Sequence, residues 1–130
     1  MLRKVVVPAL ALGLLAASPA SAATSRFGHT GAPDRVLRSG CHDYHYHYVV
    51  DAPTHDWVLE TSLIDPTGER LGSGAFISDS DPERGQGVFR LCRQSTRPGT
   101  FKIRAKLHWY DGYDAHRVYF KKSYFRLTRS

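Results

Sequence analysis

Phe101-Lys102-Ile103-Arg104-Ala105-Lys106-Leu107-His108-Trp109 alternates without a break. Every odd position is apolar; every even position is a cation or a histidine. A period of two puts the apolar set on one face of a β-strand and the basic set on the other. On a helix the same residues would scatter around the axis, so this run predicts a long, half-buried strand.

Working outward, the same pattern recurs. Before the run, Arg97-Pro98-Gly99-Thr100 fits a type II turn. After it, Asp111-Gly112 marks a reversal, and Arg117 to Leu127 reads as a last strand with a bulge near Lys122, where the alternation slips. Upstream, Tyr44, Tyr46, Tyr48 and Val50 alternate with Asp43, His45 and His47. Trp57, Leu59, Thr61 and Leu63 form another single face, followed by Asp65-Pro66-Thr67-Gly68, which fits a type I turn. Leu71 to Ser78 and Val88 to Arg93 read as shorter strands. About seven short strands in roughly 95 residues predict an all-β, antiparallel sandwich. No segment carries a helical stripe. The domain is expected over residues 36–130, and residues 23–35, polar around Gly28, Gly31 and Pro33, read as a flexible leader.

The chain has 130 residues, room for one domain and too few for a large catalytic scaffold such as a TIM barrel. Residues 1–22 have the three parts of a secretory signal peptide: Arg3 and Lys4, an apolar run from Val5 to Ala17, and small residues ending in Ala20-Ser21-Ala22. That run, about 13 residues, falls short of the roughly 20 that span a bilayer. A secreted protein is expected, cleaved after Ala22. Cys41 and Cys92 both lie in the exported part, and an oxidising destination favours one disulfide between them. Without Arg3 and Lys4 the balance is sixteen basic to twelve acidic residues, a net +4 that permits an anionic partner.

Cys41, Trp57 and Cys92 resemble, in order and rough spacing, the Cys…Trp…Cys of immunoglobulin-like domains. Arg97-Pro98-Gly99-Thr100-Phe101 looks like the turn entering a late strand in small secreted bacterial Ig-like and fibronectin-III-like modules. The resemblance covers Val36 to Leu127 and implies a seven-stranded Ig-like sandwich; folds of this kind host many functions. The chain departs from the antibody pattern in that Arg90, not Tyr, stands two residues before Cys92. The Pro-Gly turn also follows Cys92, which places Cys92 one strand earlier than expected. A bridge between neighbouring strands of one sheet then becomes the alternative to one across the core. Phe89 and Leu91 facing inward would turn Cys92 outward, in favour of the former.

Three constellations could carry function. His45 and His47, with His42 before them, share a strand face at a spacing that suits Zn²⁺ or Cu²⁺. A third ligand is missing, because His108 and His116 belong to strands expected in the other sheet, and the reading is a solvated face. If strands simply alternate up and down, three loops gather at one end and bring together Asp51, Asp56, Asp79, Asp81, Asp111 and Asp114. Carboxylates from several loops suit Ca²⁺, although Asp is also an ordinary turn former. Finally, Lys102, Arg104, Lys106 and His108 point out of the decisive strand, with Arg117 and Lys121 expected beside them and Tyr110 and Tyr113 at the end. Aromatics beside cations stack sugars or bases and hold anionic groups.

No G-x-S-x-G, H-E-x-x-H or P-loop occurs, so no enzyme is expected. The expectation is a non-catalytic binding or accessory module without a cofactor. It would engage an anionic polymer or glycan of the cell envelope through Lys102, Arg104, Lys106, Tyr110, Tyr113 and Lys121. The alternatives are a Ca²⁺-stabilised extracellular module and a protein-binding or inhibitor domain acting through its apical loops.

Overall fold

The computed structural model describes residues 23–129; the signal-peptide reading of residues 1–22 lies outside them. The described chain is an all-β sandwich of two sheets, with one disulfide inside the smaller. That sheet holds β1 (Gly28–Gly31), β3 (Cys41–Val50) and β6 (Arg84–Cys92) in the order β1-β3-β6. The larger sheet runs β2-β9-β7-β4-β5, from β2 (Arg35–Val36), β9 (Ser123–Thr128), β7 (Gly99–Asp111), β4 (Trp57–Ile64) and β5 (Arg70–Ile77). Its sixth strand, β8 (Asp114–Tyr119), pairs with the far half of β7. Pairing is antiparallel except for the two-residue β2–β9 contact and the isolated Thr24–Phe120 bridge.

The alternating faces sit where their periods put them. Tyr44, Tyr46, Tyr48 and Val50 of β3 face Trp57, Leu59, Thr61 and Leu63 of β4 and Phe101, Ile103, Ala105, Leu107 and Trp109 of β7 across the core, and all are buried. Tyr46 stacks on Phe89 at 4.4 Å, and Phe76 of β5 closes against Tyr48 at 4.1 Å. Asp111 and Asp114 pair across a two-residue turn in which Gly112 has φ +61, a backbone conformation open to glycine at little cost. The bulge near Lys122 is present. Lys106 pairs with Tyr119 but Ile103 with Ser123, so one extra residue sits on the strand opposite β7 and divides β8 from β9.

Several expectations need correction. The segment read as a loose leader contains β1, whose Gly28 to Gly31 pair with Val50 to His47. Phe27 packs on Trp109 at 4.9 Å, and Thr24 bridges to Phe120. The packed domain therefore begins well before residue 36. The strands number nine among the described residues, not about seven. Arg97 to Thr100 does not close a turn of its own: Gly99 already belongs to β7, and a short 3₁₀ turn, Arg93–Ser95, makes the reversal from β6. β6 starts four residues earlier than the apolar pattern showed. Its Gly85 and Gly87 pair with Tyr48 and Tyr46, and a Cβ at either glycine would enter the tyrosine ring opposite. Glycines there let two large rings lie against the neighbouring backbone.

Candidate cationic binding face

β7 is the central strand of the larger sheet, between β4 and the β8–β9 pair. Its odd residues fill the core, which leaves Lys102, Arg104, Lys106, His108 and Tyr110 on the outward face. The register decides what stands beside them. Tyr124 is opposite Lys102, Tyr119 opposite Lys106, and Arg117 opposite His108. The Lys106 ammonium lies over the Tyr119 ring, 5.7 Å from its centroid, and Tyr124 is well exposed. On the other flank Glu60 of β4 faces Lys106 and approaches His108 Nε2 at 3.3 Å. A carboxylate therefore interrupts the cationic row. Arg104, Lys106 and Arg70 of β5 share a shallow groove of about 230 Å³ with Glu60, Ser62 and Tyr119.

Of the six residues expected to bind, Lys102, Arg104, Lys106 and Tyr110 share this face. Tyr113 is at the tip of the β7–β8 turn, fully exposed beyond the end of the row. Lys121 is a correction. It sits in the irregular segment between β8 and β9, off the β7 ladder, where its N–H donates to the Thr24 carbonyl. The extra residue at the bulge breaks the phase that would have put it beside Arg117. Sequence reading missed Tyr119, Tyr124 and Arg70. The first two follow from the two-residue period of β8 and β9 once the register shift is known. Arg70 is visible only after β5 is paired with β4.

The loops do gather at one end. The Thr54 hydroxyl donates to the Tyr110 carbonyl at 2.9 Å, and Val50 N–H donates to the Glu83 carbonyl at 2.7 Å. Their carboxylates do not converge. Asp81 Oδ2 accepts the Ile77 N–H at 2.8 Å, so it shapes its own turn. Asp51 and Asp56 are exposed on the β3–β4 loop, Asp79 on the β5–β6 loop, and Asp111 and Asp114 on either side of the β7–β8 turn. Among the described residues no group of three or more His, Cys, Asp or Glu is placed to hold a metal ion.

Cys41 and Cys92 are directly opposite on adjacent strands β3 and β6, so their disulfide lies within one sheet and does not cross the core. Beside it is a depression of about 690 Å³, lined by Ser39, Gly40, Arg93, Gln94 and Arg129. No His, Asp or Glu lines it to supply general acid–base chemistry.

No family model matches the chain, and no curated protein matches it. Among solved structures it is similar to the CARDB domain of a Pyrococcus furiosus protein, determined in complex with di-metal ions. The likeness has a TM-score of 0.40 at 13% identity and covers 82% of this chain and 99% of that one.

Proposed function

We propose that the chain is an exported, non-catalytic binding module that holds an anionic polymer or glycan at the cell envelope through the outward face of its larger sheet. The observation that carries this reading is the row Lys102, Arg104, Lys106 and His108, flanked by Tyr119, Tyr124 and Arg117 across the ladder. Residues on one strand face repeat about every 6.8 Å. Lys102, Arg104 and Lys106 therefore make a linear array of positive charge some 14 Å long, with His108 one repeat beyond. Like charges on adjacent strand positions repel one another, and a bound polyanion removes that cost. The tyrosines give a sugar ring flat apolar surfaces to pack on, with the phenol free to hydrogen-bond. Ser62 and Tyr119 add hydroxyl groups to the groove that Arg70 and Arg104 line.

The test is retention of the folded protein on an immobilised sulfated polysaccharide and on isolated envelope polymer, across a salt series. Retention should fall steeply with salt, because each cation that neutralises an anionic group releases a counterion. The Lys102→Ala/Arg104→Ala/Lys106→Ala variant should elute early at every salt concentration. Equal retention of this variant and the parent would refute the reading. Export has its own check: the protein recovered outside the cell should begin at Ala23.

A further inference from the structure

The outward face of the smaller sheet carries a histidine pair joined by folding alone. His29 lies on β1 and His47 on β3, and their ring centroids are 5.9 Å apart with planes at 77°. Both side chains are exposed. Neither ring has a hydrogen-bond partner among the described residues, which leaves the nitrogens of both open to a ligand. The His47 ring leans toward β1 across Gly31: a Cβ there would lie 2.5 Å from its Cε1 and 2.7 Å from its Nε2. Glycine at this position lets the imidazole settle against the neighbouring strand, on the side where His29 stands.

We propose that His29 and His47 form a two-histidine surface site for a divalent transition metal, with Cu²⁺ as the ion it takes best. An imidazole nitrogen holds such an ion at about 2.0–2.1 Å, so two ring centroids on one metal lie about 4.5–6.4 Å apart, the larger value for a linear arrangement. The observed 5.9 Å falls inside that span. Imidazole suits copper, nickel and zinc, and for a given nitrogen site Cu²⁺ stands highest in the divalent series. Cu²⁺ also tolerates water in its remaining positions, which suits a site with only two protein donors. Gln86 is directly opposite His47 on β6, an uncharged neighbour able to hydrogen-bond a metal-held water. His45, two residues along β3, belongs to the same strand face but pairs with Val88, on the β6 side.

The experiment is calorimetric titration of the folded protein with CuCl₂ in a non-coordinating buffer, with electron paramagnetic resonance of the one-equivalent complex. One Cu²⁺ should bind, with hyperfine structure from two nitrogens. His29→Ala and His47→Ala should each weaken binding by about tenfold or more, the scale on which lost metal-site partners act, while His45→Ala should retain it. Both truncations are at exposed positions, so circular dichroism should match the parent. Binding lost in His45→Ala but kept in His29→Ala would overturn the site in favour of two donors on β3. Equal losses in all three variants, or an affinity that none of them changes, would overturn it as well.

Discussion

Tyr46 Oη and Thr61 Oγ1 meet 2.8 Å apart in the middle of the core, a hydrogen bond between the smaller sheet and the larger. Burial pushes the Tyr46 phenol above its ordinary range, against the smaller opposing effect of the Thr61 hydroxyl. Thr61 is backed by the Gly74 carbonyl at 3.4 Å, so the two hydroxyls do not stand equally. Thr61→Val strands the Tyr46 hydroxyl in an apolar surround and should cost about 1–3 kcal/mol. Tyr46→Phe leaves Thr61 its carbonyl partner and should cost less, about 0.5–1.5 kcal/mol. The double variant should then be less destabilised than the sum of the two. Urea unfolding of all four proteins checks the order, and equal single-variant losses would contradict it.

Phe27 packs the N-terminal segment against the core on Trp109, which also stacks on His116 at 5.2 Å. Phe27→Ala should lower stability by about 1–3 kcal/mol, below the full cost of a core phenylalanine because Phe27 is only half-buried. Thermal melts report the loss. A melt indistinguishable from the parent would mean that β1 docks without it.

Asp65 is held by its own turn. Its Oδ1 accepts the Thr67 hydroxyl at 2.6 Å and the N–H groups of Thr67 and Glu69, both at 2.9 Å. The Thr67 hydroxyl chiefly, then these N–H groups and the Arg97 charge, hold the carboxyl below its ordinary value against the opposing effect of burial. A depressed carboxyl contributes stability that is present above the unfolded pKa and is lost as the pH falls through the folded one. Stability should therefore decline as the pH drops below about 4. In Asp65→Asn that part of the acid limb should flatten, as followed by urea midpoints between pH 2 and pH 6. An acid limb of unchanged slope would show that other carboxylates govern it.

The disulfide closes a stretch of 51 residues at one end of β3 and β6. Replacing both Cys41 and Cys92 by Ser should cost about 2–4 kcal/mol, mainly by freeing the unfolded chain. Spectra of the native state should not change, because ladder pairing between the two strands continues through Val49 and Arg84. A reduced protein that melts with the oxidised one would show that the bridge adds nothing to a sheet already closed.

Glu60 is the carboxylate within the cationic row, opposite Lys106 and 3.3 Å from His108 Nε2. Glu60→Gln keeps the shape and removes the charge. If the face holds a polyanion, this variant should elute at higher salt than the parent, while Arg90→Gln on the other sheet should elute as the parent does. Earlier elution of Glu60→Gln would mean that the carboxylate positions the cations instead of opposing the ligand.

By itself the sequence determined the long alternating strand, the inward sets of β3 and β4, the Asp111-Gly112 reversal and the bulge before the last strand. Each of these is local: a period of two decides which side chains face the core, and a turn residue decides where the chain reverses. The outward lysines and arginine of β7 were legible for the same reason, because they are the complement of the buried set. Pairing was not legible. β1 carries too few apolar residues to announce itself, and only its ladder with Val50 to His47 makes it a strand. Gly85 and Gly87 hid the start of β6, since the volume that identifies a strand is supplied there by Tyr48 and Tyr46 across the ladder. Tertiary structure alone moved Lys121 off the β7 ladder, because one inserted residue flips the phase of everything after it. It alone set His29 beside His47, eighteen positions apart in the chain, since neighbours across a ladder are fixed by register and not by spacing along the sequence.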